Sequence, residues 1–152
     1  MAAERDSMVD PDPDPDRVLV PSMGRPREDE ALAYALESFP DADVTLLAVV
    51  TPLDASLSEG GVLEREEKRR EEARENATAL LESIEASDRV RIETVEGRPG
   101  TVIPRHASDE RIDHVVMYGH GHDTSGYVRR LLGRTVATTV VERTDEPVTV
   151  LE

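Results

Sequence analysis

Short apolar runs alternate with longer amphipathic stretches along this chain, and the alternation predicts five strands and four helical segments. The first run, over 17–21, holds Val18, Leu19 and Val20 and closes on Pro21 and the turn Ser22-Met23-Gly24-Arg25-Pro26. A helix is expected over 28–39. There Leu32, Ala35, Leu36 and Phe39 share one face, acids fill the first turn where the helix dipole favours them, and Pro40 follows as the stop. The run over 44–50 is apolar at nearly every position, as in a strand buried on both faces in the middle of a sheet. Residues 51–61 read as a loop. The stretch 62–86 reads as a long helix, laced with opposite charges early and carrying Ala73, Ala77, Leu80, Leu81 and Ile84 as its later apolar stripe.

The third strand, over 89–94, alternates as a strand near a sheet edge does. A short helix over 101–108 is then expected with Thr101 as its cap, which places Pro104 in the first turn, where a missing N–H has no partner to lose. Val115 to Tyr118 reads as a strand buried on both faces. A helix from after Gly133 to about 141 and a last strand over 147–151 complete the chain. With no hairpin signals between strands, the connections are right-handed crossovers. The fold class is therefore α/β: a single open five-stranded parallel sheet with helices on both faces. Ligands of such sheets bind beyond the carboxyl ends of the strands, where strand order reverses.

Charge and composition narrow the partners. The 152 residues suit one domain, over 17–152, preceded by a disordered acidic Pro/Asp tail over 1–16 that holds the run Pro11-Asp12-Pro13-Asp14-Pro15-Asp16. Acids outnumber bases 33 to 18, and the net charge of −15 argues against nucleic acid or anionic membrane as partners. Cysteine is absent, which excludes a disulfide framework, a thiolate metal site and a thiol nucleophile. No stretch reaches the ~18 apolar residues of a membrane span, and the N-terminus lacks a signal-peptide core, so a cytoplasmic protein is expected. Lys68 is the sole lysine, and so acid-coated a chain resembles proteins of salt-loving cytoplasms, where screening relieves self-repulsion.

Candidate chemistry gathers in 112–137. Gly119, Gly121 and Gly126 follow the fourth strand directly, and Gly133 precedes the next helix. A glycine-rich turn between a parallel strand and a helix N-terminus presents backbone N–H groups to an anion, most naturally a phosphate. Arg129, Arg130 and Arg134 lie close by and suit phosphate; each also suits a solvated helix face beside neighbouring acids. His120, His122 and Asp123 are ligand types for a transition metal, but one loop leaves the shell incomplete unless His106, His114 or a dimer mate joins. Hydrogen-bonding histidines in a polar loop are the expected role, and no metal site is assigned. Ser125 beside His122 and Asp123 is adjacency in sequence, not a nucleophile with its base, so no catalytic residue is assigned either.

Val20-Pro21 with Gly24, Val49-Val50, Gly97 and Pro99 with Ile103 and Ala107, Asp113 with Val116-Met117, Gly126 with Leu131-Leu132-Gly133, and Pro147-Val148 together resemble the pattern of the universal stress proteins. The resemblance covers 17–151 in order and spacing. It implies an adenine-nucleotide alpha-hydrolase-like sheet, a homodimer joined through the C-terminal strand, and a stress-response binding role. Its members divide into binders and non-binders of adenine nucleotides. The nucleotide site that the resemblance implies comprises Pro21, Ser22, Met23, Val50, Gly119, His120, Gly121, Gly126, Gly133, Arg134 and Thr135, and its ligand is ATP or another adenine nucleotide, with Mg²⁺.

This chain departs from the binders at three places. Met23 stands where the family aspartate holds the adenine end, with the Ser22 hydroxyl beside it. His120 and Asp123 stand at the two glycines of G-x-x-G, and a carboxylate there repels phosphate unless a cation compensates. Arg134 replaces the hydroxyl residue after the last glycine, with Thr135 one place on. The alternative is accordingly a non-nucleotide-binding interaction dimer of the same fold, working through a protein partner. Enzyme activity beyond slow ATP hydrolysis is not expected.

Overall fold

The computed structural model describes residues 15–51, 59–84, 87–119 and 135–152. In chain order the elements are β1 (Arg17–Ser22), α1 (Glu28–Ser38), β2 (Asp43–Val50), α2 (Glu59–Glu82), β3 (Val90–Glu96), α3 (Pro99–Asp109), β4 (His114–Tyr118), α4 (Val136–Arg143) and β5 (Val148–Leu151). All five strands pair in parallel, in the order β3-β2-β1-β4-β5. Val18 pairs with Val44 on one side and His114 on the other, so the reversal of strand order falls between β1 and β4. The α/β parallel sheet expected from the apolar runs is the one observed.

Alternation of side chains along each strand divides the core into two layers. Val18, Val20, Val44, Leu46, Ala48, Val116 and Tyr118 face α1 and α2, where Leu32, Ala35 and Ala77 meet them. Leu19, Leu47, Val49, Val115 and Met117 face α3 and α4 and pack on Ile103, Ala107 and Val140. The apolar β2 lies inside the sheet and the alternating β3 at its edge, as their patterns predict. Arg91 and Glu93 blunt that edge and pair with each other at 3.0 Å. The opposite edge, β5, reads V-T-V-L and carries no charge.

Two helix starts differ from expectation. α2 begins at Glu59 instead of 62. α3 begins at Pro99 with Arg98 in the cap position, so Pro104 lies inside the helix and not in its first turn. Proline is well suited to the first helical position, which accounts for the earlier start. An interior proline leaves the carbonyl four residues back without its usual donor. Here that carbonyl is Gly100 O, and Arg143 Nη1 of α4 donates to it at 3.4 Å. A further arginine closes α1: Arg89 donates to the carbonyls of Leu36, Phe39 and Ala42 at 2.8, 3.0 and 2.8 Å. At the start of β1, Asp113 Oδ2 accepts from the N–H groups of both Asp16 and Arg17 at 3.0 Å. No helix among the described residues is long and apolar enough to cross a membrane.

Candidate functional site

β1 ends at Ser22, 2% exposed, and the chain then reverses through Gly24, at φ 75°, and Arg27, at φ 69°, into α1. Glu28 opens that helix and is itself only 3% exposed. A buried carboxylate requires donors, and Glu28 turns back to find them: Oε1 accepts from Ser22 Oγ at 3.2 Å and Oε2 from Met23 N at 2.7 Å. The β1–α1 turn is thus held from within by a side chain six residues beyond the strand end.

α2 crosses the same turn closely. A Cβ on Gly24 would stand 3.3 Å from Asn76 Nδ2, closer than ordinary contact, so the Asn76 amide rests directly on this turn. At the end of β2, Thr51 O accepts from Arg69 Nε at 3.1 Å and Nη2 at 2.9 Å. Between these two contacts lies a cavity of about 240 Å³. Ser22, Met23, Gly24, Val50 and Thr51 form its sheet side, and Arg69, Glu72, Ala73 and Asn76 its helix side.

On the other side of β1, β4 ends at Tyr118, whose hydroxyl accepts from Arg27 Nη1. The guanidinium carbon lies 5.6 Å from the tyrosine ring centroid, so Arg27 ties the β1–α1 turn across the switch point to β4. Gly119 N donates to Leu151 O at 2.8 Å. A Cβ at Gly119 would meet Val150 Cγ1 at 2.7 Å, which shows how tightly this turn rests on β5. Thr135 caps α4, its Oγ1 accepting from Thr138 N at 3.1 Å.

Of the residues singled out from the sequence, Ser22, Met23 and Val50 come together in the cavity. Pro21 is buried within β1 opposite Leu47. Gly119 packs on β5 and Thr135 begins α4, and neither lines the cavity. His120, Gly121, Gly126, Gly133 and Arg134 lie outside the described residues, as do His122 and Asp123. Arg69, Glu72 and Asn76 escape sequence reasoning because they sit in a charge-rich helix that reads as a solvated face. Glu28 reads from sequence only as a first-turn acid. Its burial has no one-dimensional signal.

A second cavity, of about 280 Å³, opens at the amino-terminal ends of the strands, among Arg17, Asp43, Arg89, Arg91 and Glu110. Its cations are already engaged: Arg89 on three carbonyls, Arg17 on Glu110 O at 2.8 Å, and Arg91 on Glu93. It also lies at the wrong end of a parallel sheet for a switch-point ligand. Nearby, His114 Nε2 shares a 2.7 Å hydrogen bond with Thr149 Oγ1, and its ring lies 4.9 Å from Phe39. Burial holds its pKa below the ordinary 6.5. Among the described residues no three His, Asp or Glu side chains converge as metal ligands.

The model of the universal stress protein family matches residues 15–152, nearly the whole chain. The chain belongs to the universal stress protein family. Three solved structures illustrate the shared fold. Universal stress protein UspA from Lactobacillus plantarum is 18% identical at a TM-score of 0.71, with 90% of this chain and 97% of that one covered. A universal stress protein in complex with cAMP is 20% identical at 0.63, covering 91% and 97%. The universal stress protein from Archaeoglobus fulgidus in complex with dAMP is 15% identical at 0.50, covering 91% and 98%. At these identities the likeness is one of fold. Comparison with curated proteins finds no match.

Proposed function

We propose that this universal stress protein acts by binding an adenine nucleotide at the carboxyl ends of β1 and β2. The observation that carries the reading is the cavity of about 240 Å³ floored by Ser22, Met23 and Val50 and walled by α2. Ligand cavities usually run from about 300 Å³ upward, so this one suits the base, with ribose and phosphate extending past Ser22 toward the end of β4. Relatives of the same fold solved with cAMP and dAMP support the choice of ligand class. ATP with Mg²⁺ is the finer form of the proposal, because Asp123 stands at a glycine position of the family's G-x-x-G in sequence and a divalent cation would offset its charge. The role is one of binding in a salt-rich cytoplasm, not of catalysis.

Mass spectrometry of small molecules released from purified protein, with its absorbance at 260 nm, tests the proposal directly. Calorimetric titration with AMP and with ATP, with and without Mg²⁺, then gives the affinity. A chain that carries no nucleotide and gives no heat with either defeats it.

One observation favours the second reading, an interaction dimer with a closed pocket. Met23 N–H and Thr51 O, two backbone groups at the cavity rim, already bond to Glu28 and Arg69. Under either reading the proposed homodimer edge is β5. Its uncharged V-T-V-L is half-buried in one chain, whereas β3 carries Arg91 and Glu93. Sedimentation at molar salt should give a dimer, and β5 amides should gain exchange protection with protein concentration while β3 amides do not. A monomer at molar salt defeats the β5 edge.

A further inference from the structure

Because the Ser22 hydroxyl and Met23 N–H bond to Glu28 and Thr51 O accepts from Arg69, recognition in the cavity falls to α2. Arg69, Glu72, Ala73 and Asn76 recur at helical spacing on one face, and Ala73 packs on the core beside them. Arg69 is held by Thr51 O. No hydrogen bond or ion pair to another described residue engages the Asn76 amide or the Glu72 carboxylate. Asparagine is a weaker helix former than the Glu, Arg and Ala around it, so helix propensity does not account for it at this position. The Gly24 turn nevertheless leaves room for its head group, 3.3 Å from where a Cβ would stand.

We infer that Asn76 and Glu72 are the specificity-determining residues of the site, reading a base edge that sets a ring-nitrogen acceptor beside an exocyclic amine. The inference rests on the nucleotide reading. An asparagine amide is a donor and an acceptor side by side: Nδ2 donates to the ring nitrogen and Oδ1 accepts from the amine. An ionised carboxylate only accepts, and Glu72 takes the second amine hydrogen. Hypoxanthine is the discriminating probe, because it matches adenine in shape but carries a carbonyl oxygen where adenine carries the amine. Asn76 can rotate its amide to suit either base. Glu72 cannot, and it opposes that oxygen with like charge. Affinity for the edge therefore belongs mainly to Asn76, and discrimination between the two bases to Glu72. This arrangement stands in for the aspartate that Met23 replaces.

Calorimetric titration of the full chain with AMP and IMP, for wild type, Asn76→Ala and Glu72→Gln, tests this. Both positions are exposed on α2, and unchanged far-UV circular dichroism confirms the fold of each variant. Wild type should prefer AMP over IMP. Asn76→Ala should weaken AMP about tenfold, the worth of a hydrogen-bond pair to a neutral amide. Glu72→Gln should bring AMP and IMP to within about twofold of each other, whatever the loss of a negative charge does to both. Wild-type binding of AMP with both variants indistinguishable from it overturns the role of α2 and leaves the nucleotide reading standing. Wild-type binding of neither nucleotide removes that reading and this inference with it.

Discussion

Replacing Glu28 with alanine is the most searching perturbation of the β1–α1 turn. The substitution removes a carboxylate that is 3% exposed and accepts from Ser22 Oγ and Met23 N. Ser22 can rotate its hydroxyl toward another acceptor, but Met23 N–H is fixed in the backbone. A hydrogen bond to a charged group contributes about 1.5–3 kcal/mol, and an unsatisfied buried donor costs about 1–3 kcal/mol. Met23 N–H is only part-buried at the cavity rim, so the charged bond sets the scale and a loss of about 1.5–3 kcal/mol is expected, a large part of the ~5–15 kcal/mol typical of a domain. Glu28→Gln keeps one acceptor and the shape, so it should lose less, about 1–2 kcal/mol. Urea titration at fixed high salt, followed by far-UV circular dichroism, measures both as shifts of midpoint at constant slope. A Glu28→Ala protein within about 0.5 kcal/mol of wild type refutes the view that this carboxylate holds the turn.

Two further outcomes follow from named contacts. Gly119→Ala drives a Cβ to 2.7 Å from Val150 Cγ1 and should cost about 1–3 kcal/mol, with Val150→Ala in the same chain recovering most of it; additive losses in the double variant refute the clash. For His114 the folded-state pKa lies below 6.5, so the unfolded chain binds more protons as pH falls through 6.5. Stability should therefore be highest above that value and decline below it until the folded pKa is passed. Urea midpoints from pH 5 to 8 should flatten in His114→Gln; an unchanged slope places the titration elsewhere.

Much of the architecture is local and therefore legible in the sequence. An apolar run such as Val44 to Val50, short and rich in β-branched residues, suits a strand covered on both faces, and the charges at Arg91 and Glu93 suit an edge, because burial on a sheet follows a period of two. Strands separated by helices permit only crossovers, which settles the fold class before any contact is known. Helix starts are less legible. At α3, Pro99 and Thr101 both satisfy the local rules, and the carbonyl that the interior Pro104 leaves without its helical donor, Gly100 O, accepts from Arg143 of a distant helix.

The cavity was beyond the sequence for a related reason. A glutamate in a first turn satisfies the helix dipole whether it points to solvent or back into the chain. Only the packing of α1 on β1 and β4 decides that Glu28 turns inward to Met23. An asparagine in a charged helix is likewise indistinguishable from a solvated one until α2 is laid across β1 and β2. Gly24 and Asn76 then approach over a separation along the chain that no periodicity records. Local period and composition determine which elements form and which faces are buried. Which polar side chains meet across those elements is set by strand order and helix placement, and these arise from the summed packing of the core.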